Sequence, residues 1–293
     1  MRVALCIFCV DACMLVVCIC RLPDLLARSS FPFDISYHDG GVVVGDVAGS
    51  SKIGSLGTGD GVVALNSHTV VNAKHVVFTL GFLPADDTVS VLYAHSSRQF
   101  ETQLVLRNYY DVLSIAILYV IGLSSWLLGV YLLFRKPNDS RAFLLHLSLV
   151  SLATVVILAW EGFPSTSLLG FINSVLFYLS YVALSTAFFL FTLLFPQKKI
   201  ERPTGYLIAA SLVSLFILTG VGYSLSQAYQ DARPEAFMTF AQWQTTLDYF
   251  VVLLIMAGIV SLAHSYTTSH VQEDRIKVRW IFFGLASASL PFL

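Results

Sequence analysis

The sequence is poor in charged residues. Asp, Glu, Lys and Arg make up 12% of the 293 residues and hydrophobic residues make up 56%, whereas soluble domains carry about 25% charged residues. So few charges exclude an ordinary water-soluble domain. The net charge of −1 leaves no basic excess for a nucleic-acid partner. The composition predicts an integral membrane protein whose first partner is the lipid bilayer.

Cysteine is absent from most of the chain. All five cysteines lie in the first twenty residues, at Cys6, Cys9, Cys13, Cys18 and Cys20. Their spacings match no C-x-x-C…C-x-x-C zinc frame, and no disulfide can brace a later domain. We interpret them as small residues that pack or face lipid.

Catalytic signatures are also missing. The sequence has no His-Glu-x-x-His motif, no Gly-x-Ser-x-Gly motif, no P-loop and no dinucleotide fingerprint. The histidines do not cluster, and we interpret His38-Asp39-Gly40 as a turn before a strand. We expect no catalytic residue, cofactor or metal site in this chain.

Long apolar runs dominate the second part of the sequence. A helix needs roughly 20 apolar residues to cross the hydrocarbon layer, and residues 111–293 supply several such runs. They predict a polytopic helical bundle with helices at about 112–134, 142–160, 168–195, 206–224, 247–264 and 280–293. The last run is too short to cross, so we expect an element that continues beyond Leu293.

Residues 1–21 contain a separate segment, Val3 to Cys20, that is apolar apart from Asp11 and lies between Arg2 and Arg21. A signal peptide and a signal anchor both fit this pattern. No A-x-A-like cleavage site follows, and Asp11 is tolerated in a helix that packs against others. We therefore favour an uncleaved first transmembrane helix.

Residues 25–108 have a different texture. Turn formers such as Gly57-Thr58-Gly59-Asp60-Gly61 separate short β-branched runs, which predict strands. In the run 100–106, Phe100, Thr102, Leu104 and Leu106 alternate with polar residues. One segment, 70–80, fits a short helix. The pattern predicts a small β-rich domain.

The order of these turns resembles a PDZ domain. Gly49-Ser50-Ser51 precedes the turn 56–61, the apolar strand 62–65 ends in Asn66-Ser67, and 86–92 begins a later strand. In that turn, Gly59 is expected to take φ > 0 and Asp60 to hydrogen-bond the backbone beyond it. The resemblance implies that an extended peptide or protein ligand adds beside one strand and the helix.

The strand expected to border this groove contains Phe31, Phe33 and Ile35. These three are the candidate ligand-binding residues of the domain. The segment 30–35 lacks the glycines that would present free N–H groups to a peptide carboxylate. The alternative is that the three side chains belong to a core.

Lysine and arginine alternate between the loops of the bundle. Loops 135–141, 197–203 and 270–279 contain three each, whereas 161–167 contains none and 223–246 contains one. Under the positive-inside rule the rich loops are cytoplasmic. The β-rich domain is then extracytoplasmic and the N-terminus cytoplasmic.

Ionisable residues in or near the helices are functional candidates, because intramembrane charge is costly. We interpret His146 and His264 as residues that reach the cytoplasmic interface. Glu161, Trp243 and Asp248 lie at outer helix ends and could line an extracytoplasmic ligand cup. Interfacial tryptophans and solvated acids explain them equally well.

The basic run before Trp280, with Gly284 and Pro291-Phe292 after it, is similar to the membrane region of bacterial sensor histidine kinases. The segment 190–196 and the order of anchor, PDZ-like domain and bundle resemble ComP-like kinases that carry a PDZ domain. The resemblance implies a receptor input region in the bacterial cytoplasmic membrane. It also implies a homodimer whose kinase domain lies beyond residue 293.

Two other classes remain open. The first is a PDZ-bearing membrane scaffold or envelope quality-control protein without an output enzyme. The second is a transporter, for which we find no inverted repeat and no pair of Gly/Pro-interrupted helices.

Overall fold

A computed structural model gives the fold of the protein. It describes residues 2–38, 41–47, 52–53, 56–70, 76, 79–80, 83–96, 98–158, 168–197, 199, 204–231 and 234–289. The chain is mainly helical with a small antiparallel sheet region. The predicted combination of a helical bundle and a small β-rich unit is confirmed at this level.

Within the described residues, two helices precede the sheet region and six follow it. The first two are α1 (Arg2–Ile19) and α2 (Leu22–Leu26). The later ones are α3 (Val112–Arg135), α4 (Ser140–Ile157), α5 (Leu168–Leu194), α6 (Thr204–Asp231), α7 (Pro234–Thr268) and α8 (Gln272–Ser289).

In the part of the chain that the structure describes, five helical segments are long and apolar enough to cross a membrane. They are Val3–Leu26, Val112–Arg135, Ser140–Ile157, Leu168–Leu194 and Met238–Thr268. A shorter apolar stretch, Leu212–Gln227, lies within α6. These segments support the membrane class that the composition predicts.

Two helices begin well before their apolar runs. The apolar pattern predicts a start at Leu247, but α7 begins at Pro234, a residue favoured in the first turn of a helix. Likewise, α8 begins at Gln272 and not near Trp280. Hydropathy finds the membrane-length part of a helix and misses polar turns that extend it.

Helix ends are set by local chemistry. Asp111 caps α3 by accepting a hydrogen bond from the Ser114 N–H at 2.5 Å. Asp139 caps α4 in the same way, with the Arg141 N–H at 2.9 Å. Between these helices Pro137 follows the last turn of α3, where proline is favoured because it cannot continue a helix.

Glycines allow α3 and α4 to approach closely. A Cβ added at Gly122 would collide with the side chain of Ile157, and one at Gly129 would lie 3.3 Å from the carbonyl oxygen of His146. Small residues at membrane helix interfaces permit this close backbone approach.

The bundle has one apolar core. Val155 of α4, Phe177 of α5, Val221 of α6 and Val251 of α7 are buried together in it. Cys18 of α1 is fully buried in the same cluster. The first helix is therefore packed into the bundle.

The strands of the main sheet are β2 (Phe33–His38), β3 (Gly41–Val47), β6 (Gly61–Leu65), β7 (His68–Thr69), β8 (Thr88–His95) and β9 (Arg98–Val105). The sheet is antiparallel, in the order β2-β3-β6-β8-β9, with β7 paired to β6. Short pairs complete the unit: β1 (Ser29–Ser30) with β10 (Arg107–Asn108), and β4 (Lys52–Ile53) with β5 (Leu56–Gly57).

The alternation predicted over residues 100–106 is confirmed at Leu104 and Leu106. Leu104 and Leu106 are buried, whereas Phe100 at the rim is 43% exposed. In the predicted helix 70–80, Val76, Thr79 and Leu80 are helical, Val70 is not, and 71–75 and 77–78 lie outside the described residues.

The turn before β6 is held by Asp60. Gly59 has φ +92°, as predicted. The Asp60 carboxylate accepts the N–H of Gly57 at 2.8 Å, so the prediction that it would bond the backbone beyond the turn was wrong. Its other oxygen meets Nδ1 of His95. The short loop before Asp60 leaves the Gly57 amide within reach.

Candidate functional site

A cavity of about 280 Å³ lies beside β2, between that strand and Leu80. Phe31, Phe33 and Ile35 all line it, so the structure brings the three candidate ligand residues of this domain together. The Phe31 and Phe33 rings stack with centroids 4.9 Å apart and planes 7° apart. Both are also buried in the sheet core. They serve as core and as cavity wall at once.

The polar wall of this cavity was not predicted. It contains Arg28, Ser29, Ser30, Asp34 and Tyr109. A second cavity of about 280 Å³ shares Ser30, Phe31, Phe33 and Asp34 with the first, and it is also lined by Pro32, Arg107 and Asn108.

Arg28 is fixed against two aromatic rings. Its guanidinium carbon lies 4.4 Å from the Tyr109 ring centroid and 5.8 Å from that of Tyr110. Such cation–π contacts stabilise a partly desolvated guanidinium. Burial lowers the pKa of Arg28, but arginine starts so high that the group stays charged. A basic residue just after an anchor, with a tyrosine pair just before α3, was the available sequence signal.

The cavity adjoins the connection to the membrane helices. Ser29 pairs with Asn108, and Ser30 pairs with Arg107. Leu25 of α2, which precedes β1 in the chain, and Ile115 of α3, which follows β10, are buried against each other. The two ends of the β-rich unit are thus joined where they enter the bundle.

The proposed outer cup is only partly described. Glu161 lies outside the described residues. Trp243 packs against α6, with its ring centroid 5.9 Å from that of Phe216. Asp248 instead hydrogen-bonds Tyr181 of α5. Trp243 and Asp248 therefore contact different neighbouring helices.

Sequence reasoning placed His146 at the cytoplasmic interface, and this was wrong. His146 is 1% exposed and Asp11 is 6% exposed. The Nε2 atom of His146 lies 3.3 Å from Oδ2 of Asp11. Nδ1 lies 3.0 Å from the carbonyl oxygen of Gly129, to which it donates. One histidine thus connects α1, α3 and α4.

Lys199 follows the C-terminal end of α5 and connects that end to α7. Its ammonium group donates to the carbonyl oxygens of Thr192 at 2.8 Å and Ser261 at 2.6 Å. It also donates to the Ser261 hydroxyl. Burial lowers the pKa of Lys199 to about 8.

Within the described residues, no group of three or more His, Cys, Asp or Glu side chains is placed to hold a metal ion. No family model matches the chain, and no curated protein matches it either.

Proposed function

We propose that the chain is the membrane input region of a bacterial signalling protein, most consistent with a sensor histidine kinase. In this proposal, residues 25–108 are PDZ-like and extracytoplasmic, and bind a peptide, a protein or another envelope ligand. The observation that carries it is the shared wall: Arg28, Ser29, Ser30 and Tyr109 line the cavity and also lie at the entry into α2 and α3.

In the first step of the proposed signal, ligand binding in the cavity affects the ends of the helices that join the β-rich unit. The β1–β10 pair closes the β-rich unit immediately beside Leu25 and Ile115. An occupant that moves Ser29 or Ser30 must also move Arg107 or Asn108, because the strands are hydrogen-bonded. The distance between α1 and α3 is then sensitive to the ligand.

In the second step of the proposed signal, a shift of α1 affects the other helices of the bundle. Asp11 contacts His146 of α4, and the Tyr119 hydroxyl of α3 donates to the Cys18 carbonyl at 3.5 Å. A ligand that binds one arrangement of α1 more tightly would shift the population of bundle states. Packed interfaces of this kind favour discrete arrangements over continuous deformation.

The proposed output of the receptor is histidine kinase activity. A phosphoacceptor histidine and an ATP-binding domain would follow residue 293 on the cytoplasmic side, and the protein would act as a homodimer. A scaffold would need only a tether between its β-rich unit and its anchor. The buried contacts at Leu25, Ile115 and Asp11 favour a receptor over that alternative.

The test uses the complete natural protein in membranes and measures ATP-dependent phosphorylation. Ser30→Trp fills the cavity from β1, and Ser36→Trp is the control because Ser36 is exposed on β2, the next strand along the chain, and does not line the cavity. We expect Ser30→Trp to fix the phosphorylation level and Ser36→Trp to leave it unchanged. Identical behaviour of both variants would contradict the coupling, and absence of any phosphorylation would contradict the kinase.

A further inference from the structure

We infer that the cavity beside β2 binds a single-chain amphiphile with an anionic head group, of the fatty carboxylate class, at the outer membrane–water boundary. The apolar chain lies against Phe31, Phe33 and Ile35, and the carboxylate faces Arg28. This inference deepens the proposed receptor function and rests on it.

The cavity lies close in the chain to two candidate membrane spans, and this position supports a ligand that comes from the bilayer. Arg28 lies two residues beyond the candidate span Val3–Leu26, and Tyr109 lies three residues before the span that begins at Val112. Leu26 is 39% exposed and Val112 is 72% exposed at the ends of those spans. The polar wall of the cavity is therefore close in the chain to the exposed ends of two candidate membrane spans.

The two walls match the two ends of an amphiphile. The apolar wall has two phenylalanine rings, Ile35 and Leu80. On the polar side, Arg28 and the neighbouring Arg107 carry positive charge, and Asp34 is the opposing carboxylate. Among the described residues, Arg28 lines this cavity and Arg107 lines the adjoining one, and positive charge beside an apolar wall favours an amphiphile with an anionic head group.

Cavity size and backbone chemistry argue against an extended peptide. A volume of about 280 Å³ lies just below the range of roughly 300–1,000 Å³ typical of pockets for drug-sized ligands. It holds one chain and not several residues. The segment 30–35 has no glycine, and Pro32 has no N–H. An anion here is therefore held by the Arg28 side chain and not by a cradle of backbone amides.

The experiment photolabels the full chain in nanodiscs of zwitterionic lipid with a ten-carbon carboxylic acid that carries a diazirine. Labelled peptides are mapped by mass spectrometry, and decanoate, decylamine and decanol serve as competitors. Arg28→Gln is compared with Arg98→Gln, which removes an exposed arginine at the start of β9.

We expect label within residues 28–35 and competition by decanoate at a concentration about tenfold lower than for decanol or decylamine. Arg28→Gln should weaken labelling about tenfold, as expected for a lost charge-assisted hydrogen bond. Arg98→Gln should not. The competitor comparison uses wild-type protein, so it stands even where Arg28→Gln folds poorly.

Equal competition by decylamine, or label confined to the lipid-facing sides of α1 and α3, would overturn the inference. Stronger competition by a short peptide with a free C-terminus would overturn it in favour of a peptide ligand. If decanoate fails to compete while Ser30→Trp still alters output, the amphiphile is excluded and the receptor stands. If decanoate competes but Ser30→Trp leaves output unchanged, the binding site stands and the receptor fails.

Discussion

His146 of α4 and Asp11 of α1 face each other at 3.3 Å inside the helical bundle. Nδ1 of His146 donates to Gly129, so Nε2 is the atom that meets the carboxyl group. Asp11 and His146 are both buried, and a buried polar group that loses its partner is costly.

The pair predicts strongly non-additive mutations. Asp11→Ala or His146→Ala leaves the other group buried without its partner, and removal of one partner of a buried pair costs about 3–5 kcal/mol. We expect Asp11→Leu combined with His146→Leu to recover most of that loss, because both polar groups are then removed. Reversible unfolding in mixed micelles measures the three free energies. Losses that simply add would show that the two residues act independently.

Gly122 predicts a steric effect at the α3–α4 contact. Any Cβ there collides with the Ile157 side chain, so Gly122→Leu should separate the two helices and lower stability by about 1–3 kcal/mol, as overpacking does. Gly222→Ala is the control, because nothing lies within 4 Å of its added Cβ. Alanine is the better helix former, so the control should match or slightly exceed wild type. A Gly122→Leu variant as stable as this control would contradict the close approach.

The sequence predicts local features well because they depend on neighbours in the chain. Alternation identified Leu104 and Leu106 as buried, and the Gly-Asp turn gave the positive φ of Gly59. The start of α7 was missed because helical backbone continues through polar residues that hydropathy ignores. Whether Glu161 belongs to a site with Trp243 stays a prediction.

Long-range pairings were not predictable from periodicity. Asp11 and His146 are conspicuous singly, but nothing local places α1 against α4. Arg28 was missed because its role depends on contacts with Tyr109 and Tyr110. These residues follow the whole β-rich unit in the sequence, so no local pattern links them to Arg28. Phe31, Phe33 and Ile35 were named from the resemblance to a PDZ domain; all three line the cavity beside β2, and whether they bind a ligand stays a prediction.

Asp60 predicts the stability of the turn before β6. Its side chain is 4% exposed and accepts the Gly57 N–H at 2.8 Å. Asp60→Ala leaves that amide without its acceptor, which costs about 1–3 kcal/mol when the group is buried. Hydrogen exchange in the peptide 56–65 should become faster by one to two orders of magnitude. The exposed Asp87→Ala is the control, and equal exchange in the two variants would contradict this role.

The buried amide of Asn173 in α5 leads us to predict that an apolar substitution there is stabilising. The residue is 3% exposed, and neither its amide nitrogen nor its amide oxygen has a hydrogen-bond partner among the residues that the structure describes. Asn173→Leu removes an unsatisfied buried amide and should stabilise the bundle by about 1–3 kcal/mol. Asn138→Leu, in the exposed loop between α3 and α4, should change stability by less than about 0.5 kcal/mol. Destabilisation by Asn173→Leu would show that the amide has a role in binding or assembly.

Lys199 predicts an amine that titrates near pH 8. Burial shifts its pKa down to about 8 from the ordinary value of 10.5. Lys199 is exposed on one side, so its ammonium is only partly desolvated. Below pH 8 the ammonium is charged in folded and unfolded protein alike, and this desolvation cost is present. That cost is relieved as the pH rises from 8 towards 10.5, where only the unfolded state still binds the proton, so stability rises over this interval.

Competitive labelling with acetic anhydride across pH 6 to 11 measures this titration directly. At neutral pH the fraction of free amine at Lys199 should exceed that of a model lysine peptide on the order of a hundredfold. Ser261→Ala removes one acceptor of the ammonium group, and a charged form with fewer hydrogen bonds should titrate at lower pH still. A midpoint near that of the model peptide would show that Lys199 is solvated and does not connect α5 to α7.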